Sequence, residues 1–188
     1  MSASGYRLPR SAQVWARSSR ASRPRYPGRM VSHAFALVPA VYVVLRRRHH
    51  DRRQVLLQFR DGTSFMDRHW ASGAAGHVEA EESVFAAAVR EVAEELGVGI
   101  KEEDLIPLTV AHRRYEDDQP VNQRVDFFFA CDRWEGEPTI QEPAKCSAMA
   151  WHDLDDLPDP LVPHERRVLQ GLASGDLPHV MATGFARP

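Results

Sequence analysis

Residues 76–98, GHVEAEESVFAAAVREVAEELGV, decide how this chain is read. From Ser83 to Leu96 the stretch holds neither Pro nor Gly and is rich in Ala, Glu and Leu, a helical composition. Phe85, Val89, Val92 and Leu96 recur at i, i+4, i+7 and i+11, which sets them on one stripe facing a core. Ser83 has the chemistry of an N-cap, with acidic neighbours where the helix dipole favours them, and Gly97 that of a C-terminal stop. At about 100° per residue, Glu91, Glu94 and Glu95 then fall side by side within an arc of roughly 100°, off the apolar stripe.

Carboxylates at i, i+3 and i+4 repel, roughly by a few tenths of a kcal/mol per pair. Arg90 can pair with Glu94, but one guanidinium does not neutralise three carboxylates, whereas a hard divalent cation with oxygen ligands does. Taken alone, an acidic run is usually a solvated helix face. The spacing around this one is more informative. Gly76 is followed after five residues by Glu82 and after seven more by Arg90 and Glu91; then come Val92, one residue, Glu94 and Glu95, one residue, Gly97 and the apolar Val98. The stretch resembles the Nudix box at every defining position. Seven fixed residues, each at a usage of about 6%, plus two apolar sites match by chance with odds below about one in a million.

That resemblance implies an α/β fold, an α/β/α sandwich with a mixed β-sheet and the box as a loop-helix-loop. It implies a metal-dependent hydrolase that cleaves the phosphoanhydride bond of a nucleoside diphosphate linked to another group. Glu94 and Glu95 would be the core ligands of Mg²⁺ or Mn²⁺, with Glu91 sharing ligation or assisting the water. Glu82 and Arg90 would orient helix and loop through a salt bridge, and Gly76 would let the backbone approach closely. In the family the carbonyl before the box glycine often joins the metal shell, a role that falls here to Ala75. A later acidic loop often lends one more carboxylate, for which Glu142 is the candidate and Glu137 the alternative. One departure precedes the box. A common family lead-in reads Trp, any residue, Leu-Pro, then Gly-Gly or Ala-Gly, whereas this chain runs Trp70-Ala-Ser-Gly-Ala-Ala75-Gly76, one residue longer and without the proline.

Selectivity comes from loops outside the box. The chain is short and shows no extra recognition domain, so the simplest substrate is a (deoxy)nucleoside triphosphate hydrolysed to monophosphate and pyrophosphate in the MutT manner. Nucleotide sugars, ADP-ribose, dinucleoside polyphosphates and capped RNA stay open. Two rival classes share the fold: an isomerase of the isopentenyl diphosphate type, which needs a catalytic Cys and a degraded box, and a regulatory nucleotide-binding module, which typically loses the glutamates. The complete REVAEE run argues against both.

The remaining sequence sets the bounds. With 188 residues, 43% hydrophobic and 27% charged, and a net charge of −2, the chain is expected to be a soluble, cytoplasmic globular protein with one core. The balance of charge offers no argument for a nucleic-acid polymer or a membrane as partner, and leaves a homodimer open. Cys131 and Cys146 form no CxxC motif, so reduced thiols are expected. Residues 1–30 are rich in Ser, Arg and Pro and lack Asp and Glu, which predicts a disordered basic tail rather than a secretory signal. An organellar transit peptide shares that composition, but Arg exceeds Lys throughout, and Met30 stands where translation would begin just before the structured part.

The domain is expected over 31–177. AFALVPAVYVVLR (34–46) predicts a strand, the charged residues 46–53 a solvated hairpin turn, VLLQFR (55–60) the return strand, and DGTSFMDRHW (61–70) a turn-rich loop. Arg60, at a strand end, is placed to face substrate phosphates; Trp70 packs under its loop or stacks on a base. LIPLTVAHRRYE (105–116) and QRVDFFFACDRW (123–134) predict strands around the polar loop DDQPVN, with Arg113 and its neighbours His112 and Arg114 reaching for an anionic substrate. A strand around 148–152 and an amphipathic helix over 164–175 close the domain, leaving 178–188 as an irregular tail.

Overall fold

The structure is a computed structural model that describes residues 36–115 and 123–185. The expected N-terminal tail and the DDQPVN loop lie outside those residues. Eight strands form one hydrogen-bonded system built on β1 (Val38–His49). The first part of β1 runs parallel to β6 (Gln123–Cys131), from Val38 opposite Arg124 to Leu45 opposite Cys131. On its other side, Ala40 to Val43 pair antiparallel with β4 (Ala74–His77), and the far end pairs with β2 (Arg52–Arg60). Strand β2 carries β3 (Trp70–Ser72) and β7 (Cys146–Asp153), both antiparallel. Beyond β6 lie β5 (Leu105–Arg114), antiparallel to it, and β8 (Val180–Thr183), parallel to β5.

Alternation along β1 explains the layers. Val41, Val43 and Leu45 face helix α1 (Val84–Leu96) and join Ala87, Ala88, Val92, Leu96 and Phe129 in one core cluster. Ala40, Tyr42 and Val44 face the other way, toward helix α2 (Pro163–Ser174), and pack with Phe128, Val168 and Leu169 in two further clusters. A strand covered on both faces reads as a continuous apolar run, which is why β1 and the three phenylalanines of β6 looked alike in the sequence. The result is a mixed sheet between two helices, the expected α/β/α sandwich.

Three expectations change. The arginines after Leu45 are strand residues: β1 runs on to His49, and only His50 and Asp51 turn, both at positive φ (46° and 62°), the geometry of a tight two-residue hairpin. Ion pairs Arg46–Asp132, Arg52–Asp153 and Arg53–Asp155 hold those charged positions in the ladder. The segment 178–188 is not wholly irregular, because Val180–Thr183 adds the edge strand β8, whose Met181 is buried. On α1 the buried residues are Ala87, Ala88, Glu91, Val92 and Leu96, while Phe85 is 39% exposed and meets the core at Phe129. No helix of the described residues is long and apolar enough to cross a membrane.

Candidate active site

Helix α1 begins where the sequence places it: the Ser83 side chain accepts from the Ala86 N–H at 3.0 Å. It ends on Gly97, left-handed at φ 67°, whose N–H reaches the Ala93 carbonyl. Between these caps the helix presents its carboxylates to the β3–β4 turn and the end of β2, each in a different environment.

Glu95 is the most constrained. Its Oε2 accepts from the Ala75 N–H at 3.1 Å and from Gln58 Nε2 at 3.2 Å. Burial pushes its carboxyl up to about 8, with the nearby charges of Glu91 and Glu142 acting in the same direction and the Ala75 hydrogen bond and Arg60 opposing. Glu91 is 8% exposed and lies over Gly76, where an added Cβ would overlap its carboxylate. Burial also raises Glu91, against the pull of Arg90. Glu94 stays out in solvent, its side chain 59% exposed.

Arg90 ties these parts together. It grips both oxygens of Glu82 at 2.9 and 3.0 Å, Glu91 at 2.7 Å, Glu94 at 3.1 Å and the His77 carbonyl at 3.1 Å. Glu82 also accepts from the Glu79 N–H at 3.0 Å, and its carboxyl is held below the usual range chiefly by the Arg90 hydrogen bonds. The loop after β4 and the helix are thus pinned to one guanidinium.

Beside Glu95 opens a cleft of about 210 Å³ whose lining includes Arg60, Ser72, Ala75, Glu142, Lys145 and Cys146. The longer turn without proline therefore still brings Ala75 to the cleft, and its N–H to Glu95. Arg60 is there too, its Nε donating to the Phe65 carbonyl at 3.0 Å. Of the two acidic-loop candidates, Glu142 lines the cleft, paired with Lys145 at 2.7 Å, whereas Glu137 is exposed in the preceding segment.

Two expected residues sit elsewhere. Arg113 is 2% exposed and turned toward α2, in a buried ion pair with Asp126 at 2.6 Å and within 3.3 Å of the Tyr42 hydroxyl. It stands one residue from the end of β5, but that end stays paired with β6 through Arg114 and Gln123, and the ion pair with Asp126 holds its side chain inside. Trp70 packs edge-on against Phe59 and His152 rather than lining the cleft. The three helix carboxylates also do not converge on one point: among the described residues no three acidic, histidine or cysteine side chains form a complete metal cage. Arg90 holds Glu91 and Glu94, while Glu95 is held separately by Ala75 and Gln58.

This donor set fits a magnesium-type ion, which takes one or two carboxylates and completes its shell with water and substrate phosphate oxygens. Sequence reasoning passed over Gln58, Ser72, Lys145, Cys146 and Glu165. The pairing of Gln58 and Arg60 at i and i+2 on one strand was a usable signal. Nothing in the sequence pointed to Glu165, which is 3% exposed on α2 and accepts the Ser72 N–H, fixing the strand under the cleft. Cys146 donates to the Ala148 carbonyl, and burial raises its thiol, while Cys131 is buried in β6. Neither is placed as an activated nucleophile.

A family model for the NUDIX domain matches residues 36–172. A MutT NUDIX hydrolase from Burkholderia pseudomallei is 29% identical, with a TM-score of 0.58 over 70% of this chain and 96% of that one. The NUDIX domain of Shewanella oneidensis NrtR, solved with ADP ribose, is 21% identical at a TM-score of 0.60, covering 74% of this chain and 88% of its own. A C. elegans Ap4A hydrolase is 19% identical at 0.54, covering 74% and 97%. The last two likenesses speak for the fold alone. No curated protein matches significantly.

Proposed function

We propose, on the premise that this chain belongs to the Nudix family and is a Nudix hydrolase, that it cleaves the phosphoanhydride bond of a small nucleotide. The substrate we assign is a (deoxy)nucleoside triphosphate, split to monophosphate and pyrophosphate with the help of Mg²⁺ or Mn²⁺. The observation that carries this reading is the placement of Glu95, a carboxylate raised to about 8, on a cleft that also holds Arg60, Lys145 and Glu142.

A bound divalent cation supplies charge neutralisation on the nonbridging phosphate oxygens and an acidified water. The protein does the rest. Glu95 and Glu91 present carboxylate oxygens toward the β4 turn, and Glu94 adds one more from the solvent side. Ala75 and Gln58 both donate to Oε2 of Glu95 and so fix its carboxylate, leaving Oε1 outside those two bonds. Arg60 and Lys145 put positive charge on the cleft wall, matching the phosphates and the charge that builds up on the leaving group. Gly76 leaves room for Glu91 above the backbone, and Arg90 keeps loop and helix in register. A cytoplasmic location suits such a nucleotide.

The test is a panel containing dNTPs, ADP-ribose, a nucleotide sugar, a dinucleoside tetraphosphate and a capped RNA oligomer, incubated with the protein and Mg²⁺, products being separated by anion exchange. A triphosphate is expected to give monophosphate and pyrophosphate. Glu94→Gln and Glu95→Gln should each lower turnover by at least about 100-fold through lost stabilisation of the transition state. Near wild-type rates in either variant would remove that residue from the assignment. Turnover of another panel member alone would move the substrate, and no product from any member would overturn the reading in favour of a binding module.

A further inference from the structure

A second cleft among the described residues lies away from the carboxylates. It lies roughly 20 Å along β2 from Arg60, at about 3.3 Å per residue, and encloses about 530 Å³ between the β1–β2 hairpin and the end of α2. Its floor is apolar, made by Val55, Leu154 and Leu172, and its wall is basic. On the face of the hairpin that continues Val44, Arg46 stands opposite Val55, and Arg48 stands directly opposite Arg53. Like charges facing each other across strands destabilise the pair, and the Arg53–Asp155 ion pair offsets only the Arg53 side of that cost.

Two of the three arginines are held in place. Both oxygens of Asp132 take Arg46, at 2.7 and 2.8 Å, and Arg53 donates to Asp155 at 2.8 Å and to the Ala173 carbonyl at 2.9 Å. A guanidinium has five N–H donors, so each keeps some unspent. Arg48 is exposed and has no hydrogen-bond or ion-pair partner among the described residues. Four arginines line the groove, Arg47 among them, and two carboxylates, Asp132 and Asp155, pair with them, which leaves the wall positive. Fixed guanidiniums beside an apolar floor make a preorganised recognition surface for a phosphate attached to an apolar body, in a volume typical of small-molecule sites.

We propose that this groove is a second ligand site, separate from the carboxylate cleft, for a phosphate monoester or diphosphate that carries an aromatic or apolar group. Its occupant contacts no residue assigned to hydrolysis, so the site is regulatory or accessory rather than a part of the active site.

The test uses the full chain with ¹³C-labelled Leu and Val methyl groups, in EDTA, titrated with AMP and separately with inorganic phosphate. With AMP, the methyl signals of Val55, Leu154 and Leu172 are expected to shift saturably, while those of Val92 and Leu96 stay put. Inorganic phosphate, lacking the apolar body, is expected to bind more weakly. Arg48→Gln should weaken AMP binding at least about 10-fold, and Arg48→Glu further, by removing a charge-assisted donor. Because Arg48 is exposed and faces Arg53 across the hairpin, neither variant should lower the melting temperature, and both should keep the wild-type rate of nucleotide hydrolysis. Groove methyls that do not move at about 10 mM AMP, that shift equally in Arg48→Gln, or that stay fixed while the Val92 and Leu96 signals move, would overturn the proposal. Hydrolysis by the same preparation is unaffected by that outcome, so the two readings fail independently.

Discussion

Glu95 shows how much a single side chain can owe to its surroundings. The helical spacing announces its position but not its state, because desolvation depends on what the rest of the chain folds over it. Burial by β2 and the β3–β4 turn raises its carboxyl, and the neighbouring charges of Glu91 and Glu142 add to that. Gly76 is the complementary case, legible in the sequence as a motif position and intelligible only in three dimensions. A Cβ there would meet the end of the Glu91 side chain rather than backbone, and that end can swing away. Gly76→Ala should therefore leave the melting temperature nearly unchanged while lowering kcat/KM at least about 10-fold through a displaced carboxylate. Unchanged kinetics would show that the position of Glu91 over Gly76 is not used. Arg113 went the other way. Its neighbours in sequence suggested a strand end, but Asp126, set directly before the apolar run Phe127–Phe129, was the signal that a buried cation would be needed to match it.

At the scale of elements, the loop-helix unit was readable almost residue by residue, because caps, Gly stops and i, i+4 spacing are local rules. Strand ends were not, since they depend on cross-strand partners. The arginines of β1 look like a turn until Asp132, Asp153 and Asp155 arrive from distant segments to pair with the hairpin, and β8 exists only because β5 offers an edge. The clamp made by Arg90 belongs to this scale. It joins Glu82 and the His77 carbonyl to Glu91 and Glu94 through five hydrogen bonds, a planar fork that lysine cannot copy. Arg90→Lys is expected to keep the fold and to raise the Mg²⁺ concentration for half-maximal activity about 10-fold or more, by loosening the helix carboxylates. Wild-type magnesium dependence in that variant would reduce Arg90 to a surface ion pair.

The whole molecule encloses a polar layer between its sheet and α2. His164, Tyr42, Arg113, Asp126 and Glu165 are all buried there, and Tyr42 stacks on Phe128 at 4.5 Å. Burial first, then the charges of Arg113, Arg124 and Arg60, holds His164 well below the ordinary imidazole range. The folded state therefore refuses a proton that the unfolded chain accepts. The stability this protects is intact above about pH 6.5 and is lost as pH falls below it, with a slope of at most about 1.4 kcal/mol per pH unit. Glu165 and Asp126, raised mainly by burial, work in the opposite direction, so the comparison must be made within one position. Between pH 7.5 and 5.5, urea unfolding should show wild type losing more stability than His164→Gln; equal losses would mean that His164 charges without penalty in the fold.

That the acidic face of α1 holds a divalent cation for a nucleotide is the proposal on which the chemistry rests. It is tested most directly by titrating Mn²⁺ into the protein with a non-hydrolysable triphosphate analogue present, following free Mn²⁺ by electron paramagnetic resonance. Saturable binding that Glu95→Gln weakens at least about 10-fold is expected. Binding of equal strength in wild type and variant, or none in either, would contradict it.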